Sequence, residues 1–229
     1  MAILRNLRNI QDAGVSSEHM AKIKEALSSP EWANGARRVL PFRYIAAARA
    51  APQLEPWIDK ALCASIAEMQ PLAGHTGVLV DVSGSMDMQL SAKSDMKRVD
   101  AAAALASVIN SSNLTVGTFS NGLAIVPPRR GMAGVDAVIK SQPHQGTYLG
   151  RAVAGFEQMA LESKQPFDRL IVITDEQSHD PVGSPKSRLS YMINVASAKN
   201  GVGYRNGWTH IDGFSEGVIK YIHAIEAEA

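Results

Sequence analysis

The chain holds one cysteine, Cys63, among 229 residues, so no internal disulfide is possible and a reducing compartment fits. Neither sign of charge prevails: 23 Lys and Arg stand against 22 Asp and Glu, a formal net charge of +1 that makes no bulk case for nucleic acid. Aromatic residues are only 6% of the chain. No apolar run reaches ~18 residues, which excludes a membrane-spanning helix on sequence grounds. The N-terminus lacks the apolar core of a signal peptide, and a soluble cytoplasmic protein is expected. No P-loop or Gly-x-Gly-x-x-Gly occurs, the histidines share no zinc spacing, and no low-complexity tract or repeat appears.

What is present is an ordinary globular composition, 45% apolar and 20% charged, at a length that suits one α/β domain with a helical appendage. Residues 1–72 read as helical. Apolar positions Ile3, Leu7 and Ile10 recur at helical spacing before Gly14, and Ser17 can cap a second helix carrying Met20, Ile23 and Leu27. A third helix is predicted from Asn34 to Ala51, with Pro41 starting or kinking it, and a fourth from Gln53 to Met69 with Pro56 in its first turn. Cys63 falls in that apolar pattern as an inert core residue.

Over residues 73–229 short β-rich runs alternate with helical ones. Strands are predicted at 77–82, 114–119, 122–126, 169–174, 190–196 and 208–212, and helices near 97–111, 132–140, 148–163 and 214–226. That alternation predicts an α/β fold with a doubly wound, mostly parallel sheet covered on both faces. Asn121-Gly122 between two strand patterns is a hairpin signal, so one edge strand should be antiparallel.

The run Gly77-Val78-Leu79-Val80 ends in Asp81-Val82-Ser83-Gly84-Ser85. One carboxylate and two hydroxyls then leave the C-terminal tip of a buried strand, where open α/β sheets place their ligands. Gly84 allows a tight fold that brings Ser83 and Ser85 to one point. Thr147, in Gln145-Gly146-Thr147-Tyr148, and Asp175, ending Leu170-Ile171-Val172-Ile173-Thr174, add two further oxygen donors. These are hard ligands suited to Mg²⁺ or Mn²⁺. Three of the five are neutral, and with about six oxygens preferred by Mg²⁺ a position stays open to water or to a partner's carboxylate or phosphate oxygen. Such a site would dock a partner rather than catalyse a reaction.

Asp81-x-Ser83-x-Ser85, Thr147 and Asp175, in that order, resemble the von Willebrand factor A domain and its metal-ion-dependent adhesion site, a resemblance that covers about residues 74–226. The resemblance implies Mg²⁺ or Mn²⁺ on the upper face, bound directly by the hydroxyls and often through water by the aspartates. Leu4-Arg5-Asn6-Leu7-Arg8-Asn9-Ile10 and Leu40-Pro41-Phe42-Arg43-Tyr44-Ile45-Ala46-Ala47 are similar to the last helical repeats of the TROVE module of Ro ribonucleoproteins, which precedes a von Willebrand A domain. That likeness implies HEAT-like repeats and, as partners, the ends of misfolded small RNAs and the Y RNAs. A helical segment of only this size cannot close the family's ring alone, which suggests a homo-oligomer in which several chains build it.

Residues 1–50 hold eight Lys and Arg against four Asp and Glu. Arg5, Arg8, Arg37, Arg38, Arg43 and Arg49 could line a phosphate-binding helix face, since the guanidinium fork suits phosphate, or could simply be solvated. Trp32, Phe42 and Tyr44 are the aromatics at hand to stack on bases. His179 could rim the metal face or be an ordinary loop residue, whereas His210 and Asp212 alternate on a late strand as structural residues. Met86 and Met88 should pack on the sheet or edge the site. Ser83 and Ser85 have no histidine or lysine at a spacing that would make a nucleophile, so no enzyme is expected. Metal-assisted phosphoester hydrolysis at Asp81 and Asp175 is conceivable, but such sites hold more carboxylates. The expectation is a Ro-like protein that docks a partner through metal and binds small structured RNA. The alternative is a metal-dependent assembly domain with no RNA role.

Overall fold

Along Val78-Leu79-Val80 successive side chains point to opposite faces of a strand, and all three are fully buried. A strand of that kind needs cover on both sides, and the chain supplies it. A computed structural model describes residues 2–29, 39, 41–92, 96–196, 202, 206–213, 215 and 217–228. Its six strands are β1 (Leu72–Asp81), β2 (Ser111–Phe119), β3 (Leu123–Val126), β4 (Arg169–Thr174), β5 (Leu189–Asn194) and β6 (Thr209–Asp212). They lie in the order β3-β2-β1-β4-β5-β6, all parallel except β3, which pairs antiparallel at the edge beside the Asn121-Gly122 turn. This is an α/β fold built on a mostly parallel sheet with helices on both faces.

The described helices are α1 (Ala2–Asp12), α2 (Ser17–Ser28), α3 (Pro41–Ala50), α4 (Glu55–Ala67), α5 (Arg98–Val108), α6 (Gly131–Ile139), α7 (Leu149–Glu162) and α8 (Gly217–Ala227). Pro41 opens α3; the expected helix start at Asn34 lies outside the described residues. Pro56 sits in the first turn of α4, where its missing N–H costs nothing. Leu79, Leu170 and Val172 pack against Leu149, Val153 and Phe156 of α7, with Phe167 and Trp208 closing that side. On the other face Val78, Val80, Ile171 and Ile193 meet α5, α6 and α8, and the same core continues to Leu4, Leu7, Tyr44, Ile58 and Leu62 of the N-terminal helices. Ala101 to Ala104 are buried all round α5, where the small side chain lets the sheet, α3 and α6 approach together.

Polar contacts fasten the helical segment to this core. Asp59 accepts the Met132 N–H at 2.7 Å, the Asn110 side chain donates to the Met69 carbonyl at 2.7 Å, and Arg49 pairs with Asp136 at 3.1 Å. Cys63 is half-buried and its thiol is pushed up by burial and by Asp59. At the far end of the sheet Arg169 binds Glu226, tying α8 to β4. Among the described residues no helix is long and apolar enough to cross a membrane.

β1 and β2 begin five and three residues before their predicted starts. Apart from Leu72 and Ala73 the added residues are glycine or polar and carry no apolar alternation, so strand pairing is what makes them strand. His75 faces the Gln165 carbonyl at 3.0 Å and the Thr115 hydroxyl at 2.9 Å, and its N–H donates to Asp168 at 2.7 Å.

Phe156 is fully buried between α7 and the sheet, with its ring 4.7 Å from that of Phe167. Phe156→Ala is expected to destabilise the chain by about 3–5 kcal/mol in urea titration, with an unchanged m-value. A loss under about 1 kcal/mol would show that this face is not a packed core.

Candidate metal centre

β1 feeds α5 and β2 on one side, while β4 pairs with it on the other. The C-terminal ends of β1 and β4 therefore flank the point where the winding direction reverses, the crevice in which such sheets bind ligands. The register Val80↔Ile173 sets Asp81 level with Thr174, one position before Asp175.

Asp81 has no exposed surface. One of its carboxylate oxygens accepts the Ser83 N–H at 2.8 Å and the other the Thr174 hydroxyl at 2.6 Å. Burial pushes its carboxyl up to about 6, against the pull of the Ser83 and Thr174 hydrogen bonds, and the neighbouring Asp175 charge adds to the rise. A buried carboxylate met only by neutral donors is short of positive charge.

Beyond Asp81 the chain enters a 3₁₀ turn, Gly84–Asp87. Gly84 does not take the left-handed conformation. What it permits is close approach: its N–H donates to the Gln145 carbonyl at 2.7 Å, and a Cβ would sit 3.3 Å from that oxygen. The hydroxyls of Ser83 and Ser85 lie 3.2 Å apart. Neighbouring ligands of an octahedral Mg²⁺ at 2.0–2.1 Å stand about 2.9 Å apart, so the pair fits one edge of such a shell. Met86 is fully buried under the turn, while Met88 stands exposed at its rim.

Thr147 is buried in the loop before α7. Ser120, just past β2, holds this loop from below, accepting the Gln145 N–H on its hydroxyl at 2.8 Å and the Tyr148 N–H on its carbonyl at 3.2 Å. From the side, the His179 N–H donates to the Thr147 carbonyl at 2.8 Å, and the Thr147 N–H reaches the His179 ring at 3.3 Å. His179 is thus at the rim of the face, exposed, with its ring edge-on to Tyr148.

Asp175 is fully buried and pairs with Arg98, the first residue of α5, at 2.8 Å. Glu176 turns the chain away at φ +60°, a conformation uncommon for a residue with a Cβ. Its carboxylate takes the His210 ring and the Val202 N–H, so His210 is a structural partner of this turn. On the other flank Asp87 binds Lys97 at 3.0 Å and the His144 ring at 2.9 Å.

The structure thus gathers Asp81, Ser83 and Ser85 at one strand tip, with Asp175 just past the end of the adjacent β4 and Thr147 in the loop packed against the turn. Among the described residues there is no group of three or more His, Cys, Asp or Glu side chains that could hold a metal. The donor set is one of oxygens with only two carboxylates, which matches Mg²⁺ or Mn²⁺ chemistry rather than zinc. The arginines fare differently. Arg5 and Arg8 are exposed on α1, Arg43 stacks on Phe42, and Arg49 is bound by Asp136 and Asp100. Arg37, Arg38 and Trp32 lie outside the described residues.

No family model matches the chain, and no curated protein matches it in sequence. Solved structures do. The Ro (RSR) protein of Deinococcus radiodurans matches with a TM-score of 0.73 at 18% identity, over 97% of this chain and 51% of that one. The chain shares its fold with a Ro protein. It spans about half the length of that Ro chain, and the match takes in the N-terminal helices as well as the sheet. Two other structures match in part: a manganese-loaded TRAP protein of Plasmodium vivax (TM-score 0.42, 16% identity, 64% of this chain and 71% of that one) and an aerotolerance-related membrane protein of Bacteroides fragilis (0.40, 21%, 53% and 67%).

Arg98 escaped the sequence reading because its partner is 77 positions away and nothing local to Lys97-Arg98 announces it. The raised Asp81 carboxyl carries a testable sign. A folded-state value above the unfolded one means the folded chain binds the proton more tightly, so the contribution is present at low pH and is lost as pH rises from about 4 through about 6. In chelator-treated protein, the stability of the parent relative to Asp81→Asn should therefore fall across that interval. A difference flat with pH would refute it.

Proposed function

We propose that this chain is a non-catalytic, Ro-like binding protein that docks a partner through a divalent ion and contacts small structured RNA, of the Y-RNA kind, through its basic helices as part of a homo-oligomeric ring. One observation carries the metal half: two buried carboxylates and a pair of hydroxyls 3.2 Å apart at the switch point of the sheet. Asp81 and Asp175 supply the negative charge, and Ser83, Ser85 and Thr147 supply neutral oxygen. When bound, Mg²⁺ or Mn²⁺ would grip an anionic oxygen, the natural candidate being a carboxylate brought by a protein partner. The residues of the chain then do the holding: Thr174 and the Ser83 N–H fix the Asp81 carboxylate, and the Gly84–Gln145 bond keeps the turn against the Thr147 loop. The non-enzymatic reading is supported by Ser83 and Ser85 having no histidine or lysine at a sequence spacing that would make a nucleophile.

The RNA half rests on the Ro-like fold and on Arg5 and Arg8, exposed on α1. Arg49 favours the second reading, a metal-dependent assembly domain without RNA, because its guanidinium is already committed to Asp136 and Asp100.

Mg²⁺ at about one hundred times its dissociation constant should stabilise the chain by about 2.7 kcal/mol, read as a rise in Tm. Asp81→Ala is expected to abolish that rise; an equal rise in the variant would place the ion elsewhere. For RNA, binding of a small structured transcript should weaken steeply with salt, and replacing Arg5 and Arg8 by Gln should lower the log–log slope by about one per lost phosphate contact. A salt-independent affinity, indifferent to both substitutions, would leave the assembly reading in place.

A further inference from the structure

The two carboxylates of the centre are compensated in different ways. Asp81 meets a backbone N–H and a hydroxyl, both neutral. Asp175 meets a full positive charge, the Arg98 guanidinium, at 2.8 Å, with its other oxygen accepting the Gln177 N–H at 3.3 Å. This is a buried ion pair rather than a surface one, since Asp175 is unexposed and the Arg98 side chain is 14% exposed. The guanidinium is also fixed in place. Arg98 opens α5, its own N–H donates to the Met88 carbonyl at 2.9 Å, and the preceding Lys97 N–H is held by Asp100 at 3.0 Å. The arginine is therefore tied to the same turn that carries Ser83 and Ser85.

We propose that Arg98 is a tethered cation of this centre, which neutralises Asp175 and so weakens divalent-ion binding at Asp81, Ser83 and Ser85 while leaving the ion-loaded face with net positive charge. The inference rests on the metal-dependent reading above. Two carboxylates and one guanidinium sum to −1, and a divalent ion takes the sum to +1; without Arg98 the loaded centre would be neutral. The neighbouring acids have partners of their own: Asp87 is paired with Lys97 and His144, and the Glu176 carboxylate takes the His210 ring and the Val202 N–H. Asp175 is thereby biased towards holding its arginine, and Asp81 is the carboxylate on which the ion depends. A net positive, partly open coordination shell attracts an anionic oxygen more strongly than a neutral one would. Arg98 is a positioning and charge-setting residue: it acts on the centre through its charge and not as a ligand.

The test is Mn²⁺ affinity, read from the electron paramagnetic resonance signal of free Mn²⁺, on the full chain and its variants. A unit charge within about 4–6 Å shifts a carboxylate's proton affinity by one to three powers of ten, so Arg98→Gln should tighten Mn²⁺ roughly ten-fold or more, and Arg98→Lys should stay near the parent. Asp81→Asn should remove binding in either background. Arg98→Gln leaves Asp175 buried and unpaired and could unfold the chain, so the comparison is repeated with Asp175→Asn already in place, where Arg98→Gln should again tighten Mn²⁺ by the same order. Equal or weaker binding in the Arg98→Gln chains, with the parent binding normally, overturns the proposal and leaves the metal reading intact. No Mn²⁺ binding by any of the chains sinks both. Binding by Arg98→Gln but not by the parent supports the proposal in its strongest form, with the arginine excluding the ion outright.

Discussion

The carboxylate of Asp81 is buried at the end of a central strand, held by the Ser83 N–H and by the hydroxyls of Thr174 and Ser83, all neutral. Such a charge is tolerable only where its surroundings are rigid and another charge can be brought in, and both conditions shape the upper edge of the sheet. Thr174 is fixed by strand pairing so that its hydroxyl reaches across to Asp81, while the same hydroxyl oxygen accepts the Glu176 N–H at 3.0 Å. That bond sets the direction in which the chain leaves β4, and with it the place of Asp175. The turn after β1 is pressed against the Thr147 loop through Gly84 and Gln145, and the loop is clamped in turn by Ser120 and His179. The oxygen donors are thus arranged by backbone contacts and short side chains, and at Asp175 also by the long side chain of Arg98.

Much of this was legible in the residues. Asp81, Ser83 and Ser85 are local in sequence, and Leu170 to Asp175 announces itself as a buried strand with a polar end, so their elements could be placed without coordinates. The antiparallel β3 followed from Asn121-Gly122. The misses share one physical cause, the satisfaction of polar groups by distant partners. The N-terminal part of β1 lacks an apolar alternation and becomes strand because Ser111 to Leu114 lie beside it. Nothing in the residues around Arg98 singles it out, because its partner Asp175 is brought to it by β4. Arg49 looked like a candidate phosphate ligand, yet Asp100 and Asp136 take it up. Apolar periodicity reports which face is buried; it says nothing about which charges meet there.

The N-terminal helices are not a loosely attached arm. Their buried leucines and Tyr44 belong to the same apolar cluster as Val78 and Ile171 of the sheet, and Asp59 caps the start of α6. The fold agreement with the Ro protein covers nearly the whole chain, these helices included. Exposed arginines on α1 and the oxygen-lined crevice at the end of β1 therefore sit on one rigid scaffold.

The first turn of α5 joins these two regions. Arg98 reaches into the crevice to Asp175, and Asp100, two residues on, contacts Arg49 of α3 at 3.5 Å. The alanines behind them are packed so tightly that the helix has little room to slide or rotate independently of its neighbours. A shift at this turn would therefore strain both contacts at once. The crevice and the helical segment meet at one fulcrum, less than a single helical turn in length.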